Sequence, residues 1–153
     1  MAILDRGRIL QVGSPREVYR RPTTKVVADF IGETDFIPAT LVSAADGRAI
    51  VDTAVGRFEG VLGDATARPG AGAKVSLSVR PECWVLSREA PPRNAVRGKI
   101  GEAIYLGEIA QYGLIAGGLE LKILEMNPRF IDQSARGEVY ASAEPDDVVV
   151  LVE

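Results

Sequence analysis

The chain has 153 residues, 46% apolar and 25% charged, which is long enough for one domain with its own core and too apolar for disorder. It carries 18 basic and 21 acidic side chains, a single cysteine, Cys83, and no histidine. That excludes an intrachain disulfide, the Cys/His metal-site patterns, and the Ser-His-Asp and Cys-His triads. Charge is unevenly spread: residues 1–25 hold six basic and two acidic side chains, and the rest hold twelve and nineteen. The larger, acidic part is a poor general partner for nucleic acid. No apolar run approaches the roughly 18 residues of a spanning helix, and no basic stretch leads into a signal-like apolar segment.

In chain order, residues 2–12 read as a hairpin turning at Asp5-Arg6-Gly7, with the glycine able to take positive φ. A helix follows, with Ser14 as N-cap, Pro15 at its first position and Glu17 placed to close a capping box; Pro22 stops it. Thr23 or Thr24 caps a second short helix, with Val26, Val27, Phe30 and Ile31 on one face and Gly32 at its end.

From Asp35 the texture becomes strands, predicted near 37–43, 48–54, 57–62, 74–80, 83–87, 96–105, 108–116, 119–123, 137–143 and 147–152. Lys74 to Arg80 alternates, putting Val75, Leu77 and Val79 on one face. Asp46-Gly47 and Gly117-Gly118 mark hairpins. Arg88 to Asn94, with Pro91-Pro92, reads as a linker between two halves, and 127–135 as room for a helical turn. Lys74 to Glu82 aligns without gaps to Glu138 to Asp146. In both, a strand ends at proline, an acidic residue follows and another apolar strand begins. The expectation is two similar small β units, each a partly closed barrel, packed together.

Several motifs sit at fixed spacing: Asp5 to Gly13 (D-x-G-x-I-x-Q-x-G), Ser14 to Tyr19 (S-P-x-E-V-Y), Pro22, and Val27-Ala28-Asp29-Phe30-Ile31-Gly32. Together they resemble the ATPase subunits of binding-protein-dependent ABC importers, the group serving polyamines, maltose and related sugars, ferric iron and sulfate. Leu77 to Glu82, Val96 to Ile100, Tyr105-Leu106-Gly107 and Pro145 to Leu151 resemble the C-terminal TOBE (transport-associated OB-fold) domain of that family. Asp35 departs from the pattern, since many relatives carry Asn there.

The resemblance implies a mainly β fold: tandem OB-like TOBE barrel units behind a short N-terminal hairpin and two short helices. Residues 1–33 would be the remnant of a nucleotide-binding domain, and 34–153 a regulatory TOBE domain with halves near 34–90 and 95–153. No G-x-x-x-x-G-K-[ST] loop is present; Gly70 to Lys74 has the wrong spacing. We therefore expect a C-terminal piece that does not hydrolyse ATP, with no catalytic residue, cofactor or metal of its own. ATP and Mg would belong to the parent subunit. The resemblance further implies a homodimer, the upstream nucleotide-binding domain and membrane subunits as partners, a small-molecule or protein regulator, and no nucleic acid. The location implied is cytoplasmic, with the parent peripheral on the inner face of the cell membrane. A polyamine-type solute is preferred, from the look of Phe30 to Pro38. A second reading is a stand-alone TOBE-like protein that binds a small oxyanion.

The candidate regulatory or interface residues are Arg80, Pro81, Glu82 and Trp84. A base and an acid at a barrel corner could meet a partner domain; alternatively Pro81 ends a strand and Arg80 holds the corner by pairing with a carboxylate, the reading we prefer. Trp84, the single tryptophan, offers a stacking surface or, preferably, a core or interface side chain. Asp146-Asp147 in a strand would point to opposite faces, and Cys83 is read as a small strand residue.

Overall fold

The computed structural model describes residues 1–130 and 137–153. Most of the span expected to hold a helical turn at 127–135 lies outside the described residues.

Strands β1 (Ala2–Asp5) and β2 (Arg8–Val12) form a hairpin whose turn residues, Arg6 and Gly7, take φ of 49° and 76°. Helix α1 (Pro15–Arg20) begins at the expected capping box: Ser14 N–H donates to the Glu17 carboxylate at 2.8 Å, and Glu17 N–H donates to the Ser14 hydroxyl at 3.3 Å. Helix α2 (Lys25–Ile31) is capped by the Thr24 hydroxyl. Gln11 clasps the join, donating to the Arg21 carbonyl and accepting from Thr23 N–H. Ile3, Val18 and Val27 make a small core beneath this segment.

The face expected on α2 is rotated. Val27 and Ala28 are buried, whereas Val26 is half exposed and Phe30 is 73% exposed. The small Ala28 lets the helix lie close on Val149 and Leu151, so contact distance rather than side-chain size selects the buried face. Gly32 ends the helix in extended backbone rather than a left-handed cap; a Cβ there would lie 3.1 Å from the Tyr19 ring. Close approach is what asks for glycine.

Among the described residues ten strands follow: β3 (Asp35–Ala45), β4 (Arg48–Thr53), β5 (Gly56–Leu62), β6 (Lys74–Val79), β7 (Val85–Ser87), β8 (Ala95–Tyr105), β9 (Ile109–Ala116), β10 (Leu119–Met126), β11 (Glu138–Ser142) and β12 (Val149–Val152). They make a closed barrel, in order β12-β5-β4-β3-β6, and an open sheet, in order β10-β9-β8-β11-β7. The fold is mainly β and OB-like, with two short helices.

The aligned repeat has a structural counterpart. β6 leads through a 3-10 turn at Pro81–Cys83 into β7, and β11 leads through one at Pro145–Asp147 into β12. Each outgoing strand crosses over: β7 pairs with β11 in the open sheet, and β12 pairs with β6 and β5 in the barrel. The strand sets therefore do not coincide with halves 34–90 and 95–153. Each unit is completed by the strand that follows the other unit's corner. β5 meets this crossover at Gly60, where a Cβ would lie 2.5 Å from the Val148 carbonyl.

One core runs through both units, from Ile37, Phe58 and Leu77 to Tyr112, Leu121 and Val139. β6 is buried on both faces. Val75, Leu77 and Val79 fill the barrel as expected, and Ser76 and Ser78 face the other way. Their hydroxyls are satisfied by Glu153 and Thr34. Asp146 and Cys83 lie in the 3-10 turns rather than in strands, and Asp146 pairs with Arg48 at 2.8 Å.

Candidate functional site

The corner after β6 carries all four candidate residues. Arg80 is 6% exposed. Its Nη1 donates to the carbonyls of Ala28, Gly32 and Glu33 at 2.9–3.0 Å, and its Nη2 donates to Tyr19 at 3.2 Å. The expected carboxylate pair is replaced by main-chain carbonyls. The reason lies in helix ends: α1 and α2 both finish at this corner, each leaving carbonyls with no partner in its own helix. A planar, multi-donor guanidinium satisfies several at once, and its charge suits the negative ends of the helices.

The guanidinium also lies 4.3 Å over the Tyr19 ring. The Tyr19 hydroxyl donates to the Glu82 carboxylate at 2.7 Å. Burial, then the Glu82 hydrogen bond, pushes the phenol up to about 12, so it stays a neutral donor. Burial lowers the Arg80 guanidinium from its ordinary value. Pro81 is buried and opens the 3-10 turn. The Cys83 thiol is pushed up to about 11 by burial and then by Asp147 and Glu82, so it stays protonated at neutral pH.

Trp84 turns away from this cluster. It is 3% exposed and meets Phe58 edge to face at 6.4 Å. Its indole N–H donates to Asp35 Oδ2 at 2.8 Å, while Asp35 Oδ1 accepts the Lys122 main-chain N–H at 2.9 Å. Asp35 thus joins β3 of the barrel to β10 of the open sheet. Burial pushes its carboxyl up to about 6, against the two hydrogen bonds that favour the charged form. Above the pair, the Lys122 ammonium meets Glu33 at 2.5 Å. The base-stacking reading of Trp84 has no geometry behind it, because the ring is enclosed.

The corner therefore brings Arg80, Pro81 and Glu82 together on the helices and sends Trp84 into the core. Sequence reading missed two members, Tyr19 and Asp35. Tyr19 was a motif position without an assigned contact; Asp35 was visible only as a departure from Asn. It also missed Asn94, a buried linker residue whose side-chain amide exchanges two hydrogen bonds with the Glu59 main chain.

The Gly70 to Lys74 stretch does not fit the phosphates of ATP. Lys74 opens strand β6 instead of following a glycine loop into a helix, so no phosphate cradle forms there. Among the described residues no group of three or more Cys, Asp and Glu side chains is placed to hold a metal ion, and no helix is long and apolar enough to cross a membrane.

The TOBE domain family model matches residues 77–151. The spermidine/putrescine import ATP-binding protein PotA of Pseudomonas fluorescens is 37% identical over 92% of this chain and 38% of its own. The PotA of Frankia alni is 34% identical over 100% of this chain and 36% of its own. PotA 1 of Pseudomonas aeruginosa is 41% identical over 73% of this chain and 30% of its own. The chain thus spans less than two fifths of the length of these three curated relatives. Among solved structures, the cytoplasmic molybdate-binding protein ModG with molybdate bound superposes with a TM-score of 0.65 at 16% identity, covering 78% of this chain and 96% of that one. That likeness is one of fold. Residues 77–151 belong to the TOBE domain family, and the chain as a whole is a homologue of part of the spermidine/putrescine import ATP-binding proteins.

Proposed function

We propose that the chain is the regulatory and dimerisation region of an ATP-binding subunit that drives solute import, of the polyamine type. Its similarity to spermidine/putrescine import ATP-binding proteins along nearly its whole length supports the reading. The observation that carries it is the Arg80 guanidinium, which fastens α1 and α2 to the barrel. In such a subunit a nucleotide-binding domain supplies ATP and Mg, and these helices are its last elements. Movement there reaches the barrel through a stiff, multiply bonded joint rather than a linker.

The barrel part holds two subunits together while their ATP-binding faces open and close. A standing contact keeps the second subunit at high effective concentration through each cycle. The pairing surface is the tip of β8–β10, where Tyr105, Leu106 and Met126 are each about three fifths exposed. Beyond Lys99, β8 pairs with β9 alone among the described residues, which leaves main-chain groups for a second copy. The subunit works in the cytoplasm, peripheral to membrane subunits. A small-molecule or protein regulator is a further partner, and nucleic acid is not.

A chimera tests this directly. The matching part of the Pseudomonas fluorescens relative is replaced by this chain, and ATP-driven polyamine uptake is measured. Uptake near the parent's rate is expected. A chimera that folds and hydrolyses ATP yet neither pairs nor supports uptake contradicts the proposal.

A second reading, a small-oxyanion binder, draws on the fold shared with the molybdate-binding protein. A thermal-shift screen separates the two, since molybdate would raise the melting temperature only if it binds the folded chain.

A further inference from the structure

A cleft of about 330 Å³ lies between α1 and the barrel corner. Its volume falls at the small end of ligand sites. The Tyr19 ring, Pro22, Cys83 and Val149 give it a largely apolar lining. Arg16, Arg20 and Arg21 stand along its helix side. Arg16 and Arg20 have no hydrogen-bonding or ion-pair partner for their guanidinium groups among the described residues, and Arg21 donates to the Arg20 carbonyl. Arg80 forms the inner wall, its charge set against carbonyl dipoles rather than a directly bonded carboxylate. Against these four cations stand two carboxylates, Glu82 and Asp147, and Glu82 is engaged by the Tyr19 hydroxyl.

An apolar floor with a net cationic rim is complementary to one kind of molecule. We propose that this cleft binds a small organic anion, an aromatic or aliphatic body with one carboxylate or sulfonate head, its body on Tyr19 and Val149 and its head between Arg16 and Arg20. Arginine suits the head because its donors fork onto two oxygens. Tyr19 and Arg80 belong to the joint between helices and barrel, so an occupant braces both sides of it. The cleft shares no lining residue with the β8–β10 tip and stands whether or not two chains pair.

Anilinonaphthalene sulfonate is the probe, and phenylnaphthylamine, the same body without the sulfonate, is its neutral control. The sulfonate is expected to saturate one site per chain and to bind at least about tenfold more tightly than the neutral control. Arg16→Gln with Arg20→Gln is expected to abolish that preference while leaving the melting temperature unchanged, because both side chains are exposed. Amide NMR shifts on binding are expected to cluster at Tyr19, Cys83 and Val149. Equal affinity for both probes, a preference that survives the double substitution, or shifts centred elsewhere would each overturn the proposal.

Discussion

Arg80 lies 4.3 Å over the Tyr19 ring while Glu82 accepts the hydroxyl of that ring at 2.7 Å, so one aromatic side chain is gripped by both charged members of the Arg80-Pro81-Glu82 corner. Removing Arg80 takes away a buried cation and leaves four carbonyls without their donor. Arg80→Ala is expected to cost about 3 kcal/mol in a denaturant melt, and Tyr19→Phe about 1 kcal/mol. Hydrogen exchange in Arg80→Ala should rise first in α1 and α2, with the barrel strands still protected. Uniform loss of protection would show that Arg80 serves the barrel rather than the joint.

Asp35 gives stability a pH dependence of unusual sign. Its folded-state carboxyl is raised from the ordinary value of 3.8 to about 6. The neutral form therefore contributes stability that is whole below about pH 4 and is lost as pH rises through about 6, by about 3 kcal/mol in all. Asp35→Asn does not titrate, and its amide nitrogen must face one of the two N–H donors that Asp35 accepts. The wild type should exceed the variant most in acid, and the gap should narrow by about 3 kcal/mol between about pH 4 and pH 8. Glu17, Asp52 and Asp64, all held below their ordinary values by hydrogen bonds, are common to both proteins and drop out of the difference. A gap constant with pH would refute the assignment.

Trp84 is a reporter of the join between the two strand sets. Enclosed at 3% exposure, it should emit at short wavelength and resist acrylamide quenching until the whole domain unfolds. Trp84→Phe keeps a ring near Phe58 but leaves Asp35 without the indole donor. The expected loss is about 2–3 kcal/mol in a chemical denaturation curve. An emission maximum typical of water-exposed indole would contradict the enclosed position.

The strand exchange makes the C-terminus part of the first barrel. Val150 pairs with Leu77 and Leu62 and is 1% exposed. Val150→Asp buries an unpaired carboxylate and should cost more than about 4 kcal/mol. Its NMR spectrum should show disruption in β3–β6, far earlier in the chain, as well as in β12. Disruption confined to the open sheet would contradict the crossover.

What the sequence revealed and what it hid divide by range. The Ser14–Glu17 capping box, the Asp46-Gly47 turn and the alternation of β6 are local rules, written in neighbouring residues. The repeated proline corners were legible for the same reason. Where β7 and β12 go after those corners was not, because partner choice depends on contacts between residues dozens of positions apart. The buried face of α2 was misjudged because amphipathic patterning weights large apolar side chains, and here a tight approach over Ala28 and Gly32 decides. Arg80 stands at the corner, but its partners are carbonyls, which no side-chain pattern encodes.

The central claim, that this chain pairs with its twin through the β part, is tested most directly by sedimentation equilibrium of the purified chain across a dilution series. A dimer that persists down to about 1–10 μM and is broken by Tyr105→Asp with Leu106→Asp is the predicted result. A monomer at every concentration up to about 100 μM would contradict the account.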